Sequence, residues 1–314
     1  MKLDRGAVTR LLDPVRRRIG ARARAVEVPG HHLVSPVPEN ATARLARELR
    51  ADAVIVSSIR RPAWRQIRNW CRTNHVLSVL YMRGMSELDQ LDHPDGVPDL
   101  LLSNTQSVAD LARRSGHLVT FVPSLVDLTN SATVTTREVA LLVSPTEIQG
   151  IDIALMLAAA RPDVRFVLQH SWSVAASDIE RLNEQLAGLS NVEVRSRTSN
   201  PAEIYRDARI LLAPHRIDNR PRVILEAQSN GIPALIRALP GLVHQMGDGG
   251  LAVDDEAEPH EWITAFARLW DDEETYAELS DKARRSAARP EQSEEAIGSR
   301  FEASIEEALD RPME

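Results

Sequence analysis

Short apolar runs alternate with longer segments of helical spacing along most of the chain. Residues 25–28, 53–57, 76–81, 100–103 and 119–122 are brief, β-rich and apolar, and 41–50, 63–72 and 106–115 carry helix periodicity between them. That rhythm predicts a parallel sheet with helices on its faces. Residues 128–137 (LTNSATVTTR) are polar, Thr-rich and without period, and read as a linker. The alternation resumes at 139–143, so a second α/β domain is expected from residue 138 to about 290. In the final segment, 291–314, Ile297, Phe301, Ile305 and Leu309 recur every four residues as one apolar helix stripe.

The most structured pattern lies between Asp207 and Val253. Residues 208–213 form an apolar strand, and a polar loop follows through Arg222. Within it Pro221 suits a place just inside a helix start. Val223, Ile224, Ala227 and Gln228 then give helix spacing, with Gly231 as the C-cap and a new strand after Pro233. Leu239-Pro-Gly and Gly247-Asp-Gly-Gly read as glycine turns. Glu226 interrupts the apolar turn VILEA, so its carboxylate is expected to be partnered or to face a ligand, because an unpaired buried charge is costly, with a solvated or locally paired helix Glu as the alternative.

This stretch resembles the donor-binding region of family 4 retaining glycosyltransferases, which have the GT-B fold of two Rossmann-like domains facing a cleft. Their pattern runs E-x7-E with the second Glu in an LEA turn, then G-x-P and a strand, a G-G-hydrophobic-x-E loop and a glycine-rich close. Glu226 falls on the second Glu, Gly231 and Pro233 on G-x-P, Gly241 and Leu242 on the glycine loop, and 247–251 on the close. Residues 98–127 and 200–213 resemble the same enzymes at the end of the amino-terminal domain and ahead of the donor loop.

The resemblance implies roles. Glu226 would bind the donor ribose. Asp218, eight residues earlier and one methylene shorter than the family's Glu, would stand at the donor sugar. Where the family has a basic pair for the diphosphate, this chain has Ser144 and Gln149 before Gly150, and His244 replaces a further Glu. Arg216, Arg220 and Arg222 are candidates to compensate, with the backbone amides around Gly150 and Gly241. Solvent-facing pairs with Asp218 are the competing role for those arginines. Arg83 and Gly84 follow a strand's carboxyl end, where an acceptor-side residue is expected, with a solvated loop arginine as the alternative. The implied reaction needs no metal and no cofactor, only a nucleotide-diphosphate sugar and a small-molecule, glycan or lipid-linked acceptor. A catalytically degenerate relative, binding or regulatory and acting with a partner, is the alternative.

Composition narrows the field. At 314 residues, 43% hydrophobic and 26% charged, the chain fits two soluble domains. Cys71 stands alone, which fits a reducing cytoplasm. The net charge is −7, yet the first 24 residues hold Lys2 and seven arginines against Asp4 and Asp13. Val8, Leu11, Leu12, Val15 and Ile19 make that stretch an amphipathic basic helix, either a domain helix with a solvated face or a contact to an anionic membrane. An acidic chain without aromatics among its basic residues argues against nucleic acid. His31 and His32 read as exposed loop residues, and domain 1–127 looks shortened at its start.

Overall fold

The computed structural model describes residues 24–28, 31–35, 39–57, 61–84, 87–88, 91, 94–171 and 176–311. Of these, 24–81, 86–101 and 305–311 fall in one compact unit, and 82–85 and 102–304 in a second. The basic segment before residue 24 lies outside the described residues.

The described residues open with β1 (Arg24–Val28) and β2 (His31–Ser35), paired antiparallel as a separate two-stranded sheet. This corrects the expectation that 25–28 joins the parallel sheet and that His31 and His32 lie in a loop. Only Pro29 and Gly30 separate the strands, whereas a parallel crossover needs a dozen residues or more, so the pair must form a hairpin. Then come α1 (Glu39–Leu49), β3 (Ala53–Val56), α2 (Arg61–Asn74), β4 (Leu77–Met82), β5 (Leu100–Ser103), α3 (Gln106–Arg114) and β6 (Val119–Phe121). The strands form a sheet in the order β3-β4-β5-β6, with β3 and β4 parallel. Fully buried Trp64 of α2 donates its indole N–H to the Gly96 carbonyl at 2.6 Å. Arg68, one turn on, donates to the Val97 carbonyl at 2.7 Å and pairs with Asp99 at 3.2 Å. Asp99 also accepts the Ser78 N–H and hydroxyl, which ties α2 and the approach to β5 against β4.

The second unit runs β7 (Val139–Val143), α4 (Ile151–Ala160), β8 (Arg165–Gln169), α5 (Ala176–Gln185), β9 (Val192–Arg195), α6 (Pro201–Tyr205), β10 (Ala208–Ala213), α7 (Arg222–Ser229), β11 (Ala234–Arg237), α8 (Pro240–Met246), β12 (Gly250–Val253), α9 (Pro259–Asp271), α10 (Glu273–Ala287) and the part of α11 (Glu294–Leu309) before residue 305. Its sheet has the order β12-β11-β10-β7-β8-β9 with every pair parallel. Strand residues alternate between two cores. Ala140, Leu142, Ile210, Leu212 and Leu235 pack with α4 and α9, while Leu141, Val143, Leu211, Ala213 and Ile236 pack with Ile224, Leu242 and Met246 of α7 and α8. Both faces are covered, which is why these strands are apolar throughout rather than alternating.

Three local expectations shift. Pro221 is the N-cap of α7 rather than its first helical residue. Leu239-Pro-Gly is not a turn but the start of α8, with Pro240 in the first helical position that its fixed φ suits. In α11 Ile297, Ser304 and Ala308 are buried while Leu309 is 45% exposed. A strict four-residue repeat advances about 400° per step, so over three steps it drifts roughly 120° round a helix of 3.6 residues per turn.

Candidate functional site

In this strand order the chain's progression across the sheet reverses between β7 and β10, and the loops leaving the carboxyl ends of those two strands lie where such sheets bind ligands. The loops are 144–150 and 214–221, the two that the sequence singles out. They are pinned together. Gly150 has φ +78, and a Cβ on it would lie 2.3 Å from the Pro214 carbonyl oxygen. The Arg216 N–H donates to the Ile148 carbonyl at 2.9 Å. Ser144, directly after β7, holds the left-handed φ of +61, an uncommon conformation for a residue with a side chain.

Glu226 sits in the middle of α7, half-buried. Its Oε2 accepts the hydroxyl of Tyr205 at 2.6 Å, and Oε1 accepts no hydrogen bond among the described residues. Tyr205 is fully buried at the end of α6, and burial, then Glu226, pushes its hydroxyl pKa well up, so it stays protonated and donates. The Asp218 Oδ1 accepts the Gly241 N–H at 2.7 Å and so caps the first turn of α8, whose own N-cap Leu239 supplies no side-chain bond. Gly241 is required by that approach, since a Cβ there would lie 2.5 Å from Oδ1. Leu242 is buried in the apolar core.

The three loop arginines diverge. Arg216 pairs with Asp152 of α4 at 2.6 Å, both about half exposed. Arg220 is buried, donates to the Gln292 amide oxygen at 2.5 Å and lies 5.9 Å from the Phe121 ring centre. Arg222 is exposed in the first turn of α7, one turn before Glu226, and makes no ion pair among the described residues. Ser144 contacts the Ser171 hydroxyl, and Gln149 accepts from Thr146. The amides of Gly150 and Gly241 donate to the Glu147 carbonyl and to Asp218. Arg83 is exposed immediately after β4.

Three histidines border these loops. His215 is 4% exposed with Nδ1 3.2 Å from the Asn219 amide oxygen, and burial lowers its pKa against that bond. His170, at the end of β8, has a buried Nε2 without a partner among the described residues, and burial lowers its pKa as well. His244 stands edge-on to Phe121, ring centres 5.7 Å apart; although exposed, it has its pKa lowered by partial desolvation and then by Arg220 and Arg289. Tyr205 is the partner of Glu226 that sequence spacing does not reveal. It lies in a helix-to-strand segment legible as fold, and nothing in its spacing pointed at Glu226, 21 residues on. A separate open cavity of about 580 Å³ is lined by Glu147, Ile151, Asp152, Leu155, Gln185 and Arg216. It does not include Glu226 or Asp218. Among the described residues no group of His, Cys, Asp or Glu is arranged to hold a metal ion, and no helix is long and apolar enough to cross a membrane.

Comparison with known proteins agrees with this topology. Residues 148–272 match the family model of glycosyl transferases group 1. A D-inositol 3-phosphate glycosyltransferase of Corynebacterium glutamicum is 34% identical over 100 residues, which span 29% of this chain and 24% of that protein. HepE of Anabaena superposes with a TM-score of 0.71 at 14% identity, over 86% of this chain and 82% of its own. A glycosyltransferase of Rickettsia africae gives 0.70 at 13%, over 87% and 81%. Sucrose-phosphate synthase of Thermosynechococcus elongatus gives 0.69 at 13%, over 86% and 76%. The chain thus has the α/β fold of the GT-B glycosyltransferases, with two Rossmann-like domains, and its segment 148–272 is similar to glycosyl transferases group 1.

Proposed function

We propose that the chain is a retaining, metal-independent glycosyltransferase of hexosyltransferase type, passing a sugar from a nucleotide-diphosphate sugar to a small-molecule, glycan or lipid-linked acceptor. The observation that supports this best is the half-satisfied carboxylate of Glu226, on the helix that follows the switch-point loop and inside the segment that matches glycosyl transferases group 1. In this reading Glu226 takes ribose hydroxyls and Asp218 stands next to the donor sugar. Arg222 supplies the positive charge that Ser144 and Gln149 do not, since a guanidinium binds phosphate oxygens in charge-assisted bonds. Arg83 serves the acceptor, and leaving phosphate and attacking hydroxyl meet on one face of the sugar. The work is cytoplasmic, with the basic amino-terminal segment as a peripheral membrane contact.

HepE is described in complexes with UDP and with UDP-glucose, which makes uridine nucleotides the first donors to try. The test is calorimetry of the full chain with UDP, GDP and ADP and their glucose conjugates, followed by donor hydrolysis without acceptor. Binding of one nucleotide and release of its sugar is expected. Absence of binding by a cooperatively folded protein overturns the reading.

One set of contacts favours a second reading, a non-catalytic binding or regulatory protein on the same scaffold. Arg216, Arg220, Asp218 and the Gly241 amide are all engaged within the protein. A protein that binds a nucleotide but never turns it over would meet this reading.

A further inference from the structure

We propose that Tyr205 is a positioning residue that aims the Glu226 carboxylate at a vicinal diol, the 2′- and 3′-hydroxyls of a nucleotide ribose; this rests on the nucleotide-sugar reading above. The argument starts from how completely Tyr205 is held. It ends the five-residue helix α6, which Asn200 caps through its side chain and Pro201 begins, and β10 starts three residues later. Its ring is fully buried in the cluster with Ala208, Ile224 and Ala227, so the hydroxyl has one direction in which to point. That direction is Glu226 Oε2, at 2.6 Å.

The backbone that carries this carboxylate is held as well. The Glu226 carbonyl accepts from the Ser229 hydroxyl at 2.9 Å and the Asn230 amide at 2.8 Å, which fixes the end of α7. A glutamate normally spreads over many rotamers, and ordering a long side chain costs about 1.5–2 kcal/mol of conformational entropy. Here Tyr205 meets part of that cost before any ligand arrives, the advantage of preorganisation. One oxygen is anchored and the other carries no protein donor.

The free oxygen defines its ligand by chemistry. A carboxylate only accepts, so it takes hydroxyl or N–H groups. Like charge keeps the diphosphate away from it. Adjacent hydroxyls fit best, because one can meet Oε1 while the second shares the remaining lone pair of Oε2 beside the tyrosine. The nearest cation on the same helix, Arg222, makes no ion pair with it. Were the pair present only to satisfy a buried phenol, a neutral amide acceptor would serve equally well.

The test is calorimetry of the full chain, wild type, Y205F, E226Q and the double variant, with UDP, GDP and ADP and with their 2′-deoxy counterparts. Wild type is expected to prefer the ribonucleotide by about tenfold or more, the size of a hydrogen bond to a charged group. Y205F should lose most of that preference while its affinity for the deoxynucleotide stays within about twofold, a split that mere destabilisation does not give. The double variant should be no weaker than E226Q. A Y205F protein that keeps the full ribose preference, or weakens both nucleotides alike, overturns the role of Tyr205 and leaves the donor site standing. Should Y205F not fold, E226Q decides, because its amide oxygen can still accept from Tyr205; retained preference overturns the proposal. A wild type that binds none of the nucleotides removes the site reading and the role together.

Discussion

Asp218 and Gly241 are joined by a 2.7 Å hydrogen bond from the Gly241 N–H to the Asp218 carboxylate, which couples the switch-point loop to the first turn of α8. Asp218→Ala is expected to cost about 0.5–2 kcal/mol, as removal of a helix-capping acceptor does. Gly241→Ala should cost more, since its Cβ would sit 2.5 Å from Oδ1 and 2.8 Å from the Asn219 carbonyl oxygen. Urea unfolding of both variants checks the order. An Asp218→Ala protein as unstable as Gly241→Ala would show that the loop, not the cap, carries the effect.

Gly150 is the second fixed point of the loops at that switch point. A methyl group there meets the Pro214 carbonyl oxygen at 2.3 Å and Pro214 Cγ at 2.8 Å, and the backbone is at φ +78. Both terms are backbone constraints that no side-chain rotation relieves. Gly150→Ala is expected to destabilise by about 1–3 kcal/mol from strain alone. It should also separate the 144–150 loop from the 214–221 loop. Loss of the protected Arg216 amide in hydrogen exchange, ahead of any loss in the strands, is the specific sign of that separation.

Much of this architecture is legible in the sequence, for identifiable reasons. The second unit's strands are short apolar runs punctuated by Pro and Gly, so β7, β10 and α7 fall where periodicity puts them. The hairpin of β1 and β2 escapes that rhythm, because short apolar runs look alike whether their neighbours are parallel or antiparallel and only the two-residue spacing between the strands distinguishes them. Site residues are harder, because a side chain's partner is a tertiary fact. Glu226 stands out as a charge in an apolar turn, but its partner Tyr205 does not. Arg220 and Arg222 look alike in sequence, yet one is buried against Phe121 and Gln292 and the other faces solvent.

Stacking explains one cluster away from the site. Arg209 lies 4.0 Å from the ring centre of Tyr276 and 5.7 Å from that of Trp270, while pairing with Glu273 at 2.6 Å. Trp270 stacks in turn on Phe266, and Phe266 on Phe166. A planar guanidinium suits two ring faces in a way an ammonium does not. Arg209→Lys should therefore lose about 0.5–2 kcal/mol, and Arg209→Ala more, because the stem's packing goes as well. Thermal unfolding with nucleotide-free protein reads both. Equal losses for Lys and Ala would point to the guanidinium alone.

Histidine burial predicts a pH dependence of stability. The pKa values of His215, His170 and His244 are all lowered in the folded chain, each with burial as the first cause. A group with a depressed folded pKa takes up its proton more readily when unfolded, so acid favours unfolding. The stability is fully present above the ordinary histidine value of 6.5 and is lost as pH falls from there through the folded values. The paired carboxylates Glu193, Asp163 and Asp272 have lowered pKa values too, but their loss comes only below the ordinary carboxylate range. Between pH 6.5 and 5 the slope therefore belongs to histidine. The urea midpoint should fall across that window, and His215→Gln should flatten it most, because His215 is the most deeply buried of the three. A slope unchanged by His215→Gln, with the variant still folding cooperatively, would move the effect to His170 at the end of β8.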